Sequence, residues 1–163
     1  MGRGPGMERA EIRTLAISRN DVESAVTVGE VVDVVETANR AMGQGETVAD
    51  YHHTLFDNLE PGKVPEPHAN FQSFSAYVKA EFDVHGIASC GSCPHNPKQF
   101  GLPYLTGVIL LNDRRNGAPL AVIEMSRLVE LVTSAVSGVG AKHLAKEGAR
   151  TPVSYTHLRA HET

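Results

Sequence analysis

The chain has 163 residues, room for one domain or slightly more, with 41% hydrophobic and 21% charged residues and a net charge of -4. There is no basic block, only 6% of residues are aromatic, and no apolar run approaches the roughly 20 residues that span a bilayer. Neither a nucleic acid nor a membrane is therefore expected as a partner. Two cysteines are too few for a disulfide framework. The opening "MGRGPGMERAEIR" lacks the apolar core of a secretory signal, and Gly6 stands where a myristoylation signal needs Ser or Thr. A cytoplasmic location follows as the expectation.

In chain order, residues 1–12 form a Gly/Arg/Pro leader expected to be disordered. "TLAISRNDV" reads as a short strand entering a turn. Thr27 and Glu30 have the spacing of a capping box. Behind them Val28, Val31, Val32, Val35, Ala38 and Met42 recur every three or four residues until Gly43 and Gly45, which predicts a helix. Strands are predicted from Tyr51 to Asn58 and from His68 to Val78, separated by the Pro/Gly-rich "LEPGKVPEP". Residues 82–91 alternate loosely as another strand. "TGVILLND" and "APLAVIEM" form a hairpin about Asn116-Gly117. From Ser126 to Ala145 the period turns helical again, through Leu128, Leu131, Val132, Ala135, Val139 and Leu144. A helix, five or six strands and a second helix predict an α+β fold with a mostly antiparallel sheet flanked by helices.

The ending "VSYTHLRAHET" (Val153 to Thr163) departs in style from the rest. It back-translates in one frame into a sequence resembling a transposase mosaic end followed by a library adapter. It is read as a scar, so His157 and His161 are not a metal pair despite their i, i+4 spacing. The expected organisation is a leader (1–12), an α+β domain (13–125), a helix leading onward (126–150) and the scar (153–163). The natural chain is expected to continue past Pro152.

"GIASCGSCPHNPKQFGLP" holds both cysteines as Cys90-Gly-Ser-Cys93, with His85 before and His95 after. Tetrahedral zinc would need all four to converge. Within a strand over 82–91, however, His85 and Cys90 stand an odd number of residues apart and point to opposite faces. A redox pair would put the first cysteine after a strand and at a helix N-terminus, whereas Pro94, Asn96 and Pro97 favour a loop. The preferred reading is a small buried strand residue at Cys90 and a loop-entry residue at Cys93. No metal is expected. Asn96, Gly101 and Pro103 are read as turn-shaping residues. Glu124 and Glu130 are read as satisfied or solvated carboxylates, and Tyr77 as a half-buried strand aromatic. "SGVGAKH" carries a GxG, but His143 falls where a third glycine belongs and the stretch lies within a helical period. It is read as close helix packing instead of a phosphate cradle.

"LAISRNDVESAVTVGEVVDVVETANRAMGQGE", "NPKQFGLPYLTGVILLNDRRNGAPLAVIE" and "TSAVSGVGAKHLAKEGAR" together resemble the ornithine cyclodeaminase/mu-crystallin family from about Leu15 to Arg150. The resemblance implies an N-terminal dimerisation domain that also lines a substrate site, followed by a Rossmann domain. It implies NAD or NADP as the cofactor, a homodimer, and a small amino or imino acid as the substrate. The catalytic aspartate and the glycine-rich turn would lie beyond this chain, which by itself would be inactive and hold no cofactor.

The departures from the family pattern are specific. Ala88, in Gly86-Ile87-Ala88, stands where the family places a carboxylate-anchoring lysine, and Val132 where it places an arginine. The segment "ADYHHTLF" offers His52 and His53 where a further arginine is usual. These make Ala88, Val132 and His53 the substrate-pocket candidates. Tyr104 follows the GLP motif where a cofactor-proximal threonine is common; Tyr104 and Thr133 are the cofactor-proximal candidates, although Thr133 and Ser137 serve equally as helix-packing hydroxyls. Each charge-assisted hydrogen bond to a carboxylate contributes about 1.5–3 kcal/mol. Losing two or three therefore implies either a ligand that is not a simple amino acid or a branch that has lost the chemistry.

Overall fold

In the computed structural model, residues 11–55, 70–79 and 82–151 are described. Strand β1 (Leu15–Ile17) leads into helices α1 (Arg19–Ala25) and α2 (Val28–Gly43). There follow β2 (Thr47–Leu55), β3 (Asn70–Val78), β4 (Val84–Ser92), the single turn α3 (Asn96–Gln99), β5 (Leu105–Asn112), β6 (Pro119–Glu124) and α4 (Met125–Leu144). The strands form one sheet in the order β1-β6-β5-β4-β3-β2. Every pair is antiparallel except β1 with β6, which run parallel and bring the first strand beside the last. The expected α+β fold with a mostly antiparallel sheet flanked by helices is what forms.

Two helices replace expected irregular structure. The turn read after "TLAIS" is α1: Ser18 Oγ accepts from the Asp21 amide at 3.3 Å, while Asp21 Oδ2 accepts from the Ser18 amide at 2.8 Å. That reciprocal box satisfies two donors that a short helix otherwise leaves bare. The loop read over Pro94–Pro97 contains α3, where Pro97 sits in the first turn and so interrupts no helical hydrogen bond. The Thr27–Glu30 box does form, with Glu30 Oε2 accepting from the Thr27 amide at 2.8 Å.

The helix layer closes on small residues. Val31 and Val35 of α2 meet Ala135 of α4, which is 1% exposed, with Val26, Val32, Leu131 and Val139 packed around them. Gly138 of the SGVG stretch lies inside α4 facing Val32, whose Cγ2 would be 3.6 Å from an added Cβ. The GxG is thus helix interior and no phosphate turn. At the hairpin, Asp113 and Ala118 close the loop, Asn116 Oδ1 accepts from the Ala118 amide, and Gly117 takes φ +74°, a conformation a side chain would oppose. A register shift between Leu111 and Asn112 accompanies the turn. Residues 56–69 and the tail from Pro152 lie outside the described residues, as does the leader up to Ala10.

Candidate functional site

Ala88 lies at the middle of β4, on one face of the sheet. Side chains alternate along a strand, and the register carries each face across the sheet. Ala88 stands opposite Phe74 on β3 and Ile109 on β5. Phe74 stands opposite Tyr51 on β2, and Gln72, one position along the same face, opposite Cys90. By register His53 pairs with Gln72 on that face; its side chain lies outside what the structure describes. Cys90 and Ala121, on this same face, are buried.

Around Ala88 the surface is apolar and aromatic. Tyr51 and Phe74 stack with ring centroids 4.8 Å apart and planes tilted by 38°. They are 49% and 38% exposed. Beside them opens a shallow depression of about 400 Å³ lined by Ala49, Asp50, Tyr51, Phe74, Ser75 and Ala76. Not one Lys or Arg occurs in any of the six strands. Among the described helix and loop arginines, Arg19, Arg40, Arg114, Arg115 and Arg127 are all ion-paired with carboxylates.

The two cofactor-proximal candidates do come together. Tyr104 and Thr133 line one cavity of about 390 Å³ between the segment entering β5 and α4, with Pro103, Ser126, Glu130 and Ser134 among its walls. The segment is fixed by Asn96, whose Nδ2 donates to the Pro103 carbonyl at 3.1 Å, and by the Cys93 amide, which donates to the Tyr104 carbonyl. Asn96, Pro103 and Gly101, at φ +65°, are therefore turn-shaping residues as read. Glu124 caps α4: its carboxylate accepts from the Ser126 amide at 2.8 Å and from the Ser126 hydroxyl. These bonds hold its carboxyl below the usual range against a burial that pushes the other way. Val132 projects from α4, 41% exposed, and is not among the residues lining that cavity. No described contact joins it to Ala88.

The cysteines separate. Cys90 is buried in β4 and Cys93 is half-buried just beyond it, both as free thiols. Burial pushes the Cys90 thiol up, away from the thiolate a redox or metal role needs. His85 lies on the opposite face, its Nε2 3.0 Å from Ser75 Oγ. Among the described residues no cluster of three or more His, Cys, Asp or Glu is placed to hold a metal.

That opposite face holds features the sequence reading missed. A larger cavity of about 540 Å³ is lined by Tyr77, His85, Ile87, Asn112, Asp113, Arg114 and Gly117. Its rim is organised by Asp83, a non-glycine residue at φ +42°. Asp83 accepts from the Tyr77 hydroxyl at 2.6 Å and pairs with Arg114 at 2.8 Å. Tyr77 and Arg114 hold the Asp83 carboxyl below its ordinary range, and the same bond pushes the Tyr77 phenol up. Tyr77 is a half-buried strand aromatic anchoring a turn. No local motif announces Asp83, because its partners come from β3 and the β5–β6 loop.

Comparison with known proteins agrees with this architecture. A model of the ornithine cyclodeaminase/mu-crystallin family matches residues 13–152. The N-((2S)-2-amino-2-carboxyethyl)-L-glutamate dehydrogenase of Staphylococcus aureus is 32% identical over 136 residues, covering 82% of this chain and 40% of that protein. A delta(1)-pyrroline-2-carboxylate reductase of Bacillus cereus is 29% identical over 84% of this chain and 39% of its own length. The Thermococcus litoralis delta(1)-pyrroline-2-carboxylate reductase, solved with NADH and L-proline, superposes with a TM-score of 0.70 at 29% identity, covering 82% of this chain and 38% of that one. An archaeal alanine dehydrogenase dimer with bound NAD gives 0.71 at 26% identity, over 83% and 38%. The chain thus spans about two-fifths of the length of the curated relatives it matches. With the match running over most of its length, the chain belongs to the ornithine cyclodeaminase/mu-crystallin family.

Proposed function

We propose that this chain is the N-terminal, substrate-lining and dimerisation part of an NAD(P)-dependent oxidoreductase acting at a carbon–nitrogen bond, and that it is inactive by itself. The observation that carries the proposal is the likeness, over four-fifths of this chain, to a reductase solved with NADH and L-proline. The dinucleotide, when bound, supplies the hydride that reduces C=N to CH–NH, with the proton drawn from an acid or water. Within this chain the hydroxyls of Tyr104, Thr133 and Ser134 fit a polar end of such a cofactor, since they line a common cavity. Its phosphates find no cradle in the described residues, because Gly138 and Gly140 are helical. They require the Rossmann domain proposed to follow.

In the whole protein, Ala88 and the Tyr51–Phe74 pair form the substrate wall, and a homodimer is the working assembly. The test is NAD(P)H turnover by the uninterrupted protein with cyclic imines, with α-keto acids plus amines, and with ornithine. Turnover of any of these is expected; absence of both turnover and dinucleotide binding overturns the reading. A second reading, a catalytically silent homologue that binds a small ligand or serves as a dimeric partner, is favoured by the absence of cations at Ala88 and Val132. It predicts ligand or partner binding with no NAD(P)H consumption under any of these conditions.

A further inference from the structure

The sheet carries no Lys or Arg, and that bears on what the site accepts. A carboxylate in a protein site is held by Arg or Lys donors, each charge-assisted bond contributing about 1.5–3 kcal/mol. The helix arginines are committed, Arg19 and Arg127 to Glu23 and Glu130 and Arg40 to Glu36. In place of a cation, the register sets the methyl of Ala88 directly across from Phe74, and Phe74 stacks on Tyr51. Both rings keep much of their surface open beside a shallow depression that takes in the small Ala49 and Ala76. Aromatic faces carry negative potential and attract cations and apolar surface, and repel an anion laid against them.

We propose that the substrate lacks an α-carboxylate and is a cyclic imine or its amine with an apolar or aryl flank, the flank and the cationic nitrogen seated on Tyr51 and Phe74 beside Ala88. This rests on the oxidoreductase reading above. The reaction is the same two-electron exchange: the imine carbon gains hydride, the nitrogen gains a proton, and the dinucleotide is oxidised. Phe74 and Ala88 are specificity-determining positions in it, not participants in bond-making.

The test uses the uninterrupted protein with 2-phenyl-1-pyrroline and delta(1)-pyrroline-2-carboxylate as paired substrates. It uses 2-phenylpyrrolidine and L-proline as paired ligands in calorimetric titration, which does not depend on turnover. The wild type is expected to favour the carboxylate-free imine about a hundredfold in kcat/KM and to bind 2-phenylpyrrolidine but not L-proline, in line with two lost carboxylate bonds. Ala88→Lys is expected to narrow or reverse the preference, and Phe74→Ala to weaken the aryl ligand about tenfold. Phe74→Leu keeps the volume and separates lost ring chemistry from misfolding. A wild type that prefers the carboxylated imine and binds L-proline overturns the inference while leaving the oxidoreductase reading intact. No turnover of either imine and no binding of either amine overturns both.

Discussion

Gly107 shows how one residue can be fixed by a neighbouring strand. A Cβ added there would lie 2.3 Å from the Ser89 carbonyl oxygen and 2.7 Å from Cys90 Cα, both backbone atoms that cannot give way. Gly107→Ala is therefore expected to destabilise by about 3 kcal/mol, since overpacking against backbone pushes β4 and β5 apart. Gly140, helical and with nothing within 4 Å, is expected to show the opposite, a gain of up to about 1 kcal/mol on changing to Ala. Urea unfolding of the two variants measures both. The cysteines give a second check at this scale. Cys93, half-buried, should react quickly with a thiol reagent, and Cys90 only as fast as the protein opens. Fast labelling that survives Cys93→Ser would count against this assignment. The alternation that puts His85 and Cys90 on opposite faces was legible in the sequence, because period two is local. The Tyr51–Phe74–Ala88 row was not, because it depends on the register of three strands.

At the scale of elements, caps and turns explain where the structure starts and stops. Thr27→Ala removes the acceptor for the Glu30 amide and is expected to cost about 1 kcal/mol, read as a lowered thermal midpoint. The hairpin carries a pH dependence. Asp113 accepts from the Arg115 side chain and amide, and these bonds hold its carboxyl at about 2, below its ordinary 3.8. A carboxyl lowered in the folded state binds fewer protons there than when unfolded. Its contribution is therefore present above pH 4 and is lost as pH falls from about 4 to 2. The melting-temperature gap between wild type and Asp113→Asn should be open at pH 5 and closed at pH 2. A gap unchanged across that range would show that the carboxylate has no such role. The short helix α1 was missed although Ser18-x-x-Asp21 marks its start, because only Val22 of its seven residues is buried and no apolar period is present. The long helices were legible because Val31 and Val35, and Leu131, Ala135 and Val139, repeat at helical spacing.

At the scale of the molecule, the sheet wants a second layer. The face opposite Ala88 exposes Val48, Phe71, Val108 and Val122, while the best-buried apolar residues are small: Ala135, Ala41, Val22 and Cys90. A sheet with one apolar face left open is stable only against another layer. The chain alone is expected to associate or to fold poorly, in keeping with the proposed homodimer. A monomer with cooperative melting at low concentration in the ultracentrifuge and calorimeter would contradict this, and Val108→Asp should weaken any association. By itself the sequence determined the two long helices, the β5–β6 hairpin and the mostly antiparallel α+β arrangement, since each depends on local period or on turn chemistry. Only the tertiary structure decided the parallel closure of β1 on β6, the meeting of Tyr104 with Thr133, and the aromatic pair facing Ala88. Those depend on which distant segments share an edge, and strand order and register are set by the packing of the whole sheet.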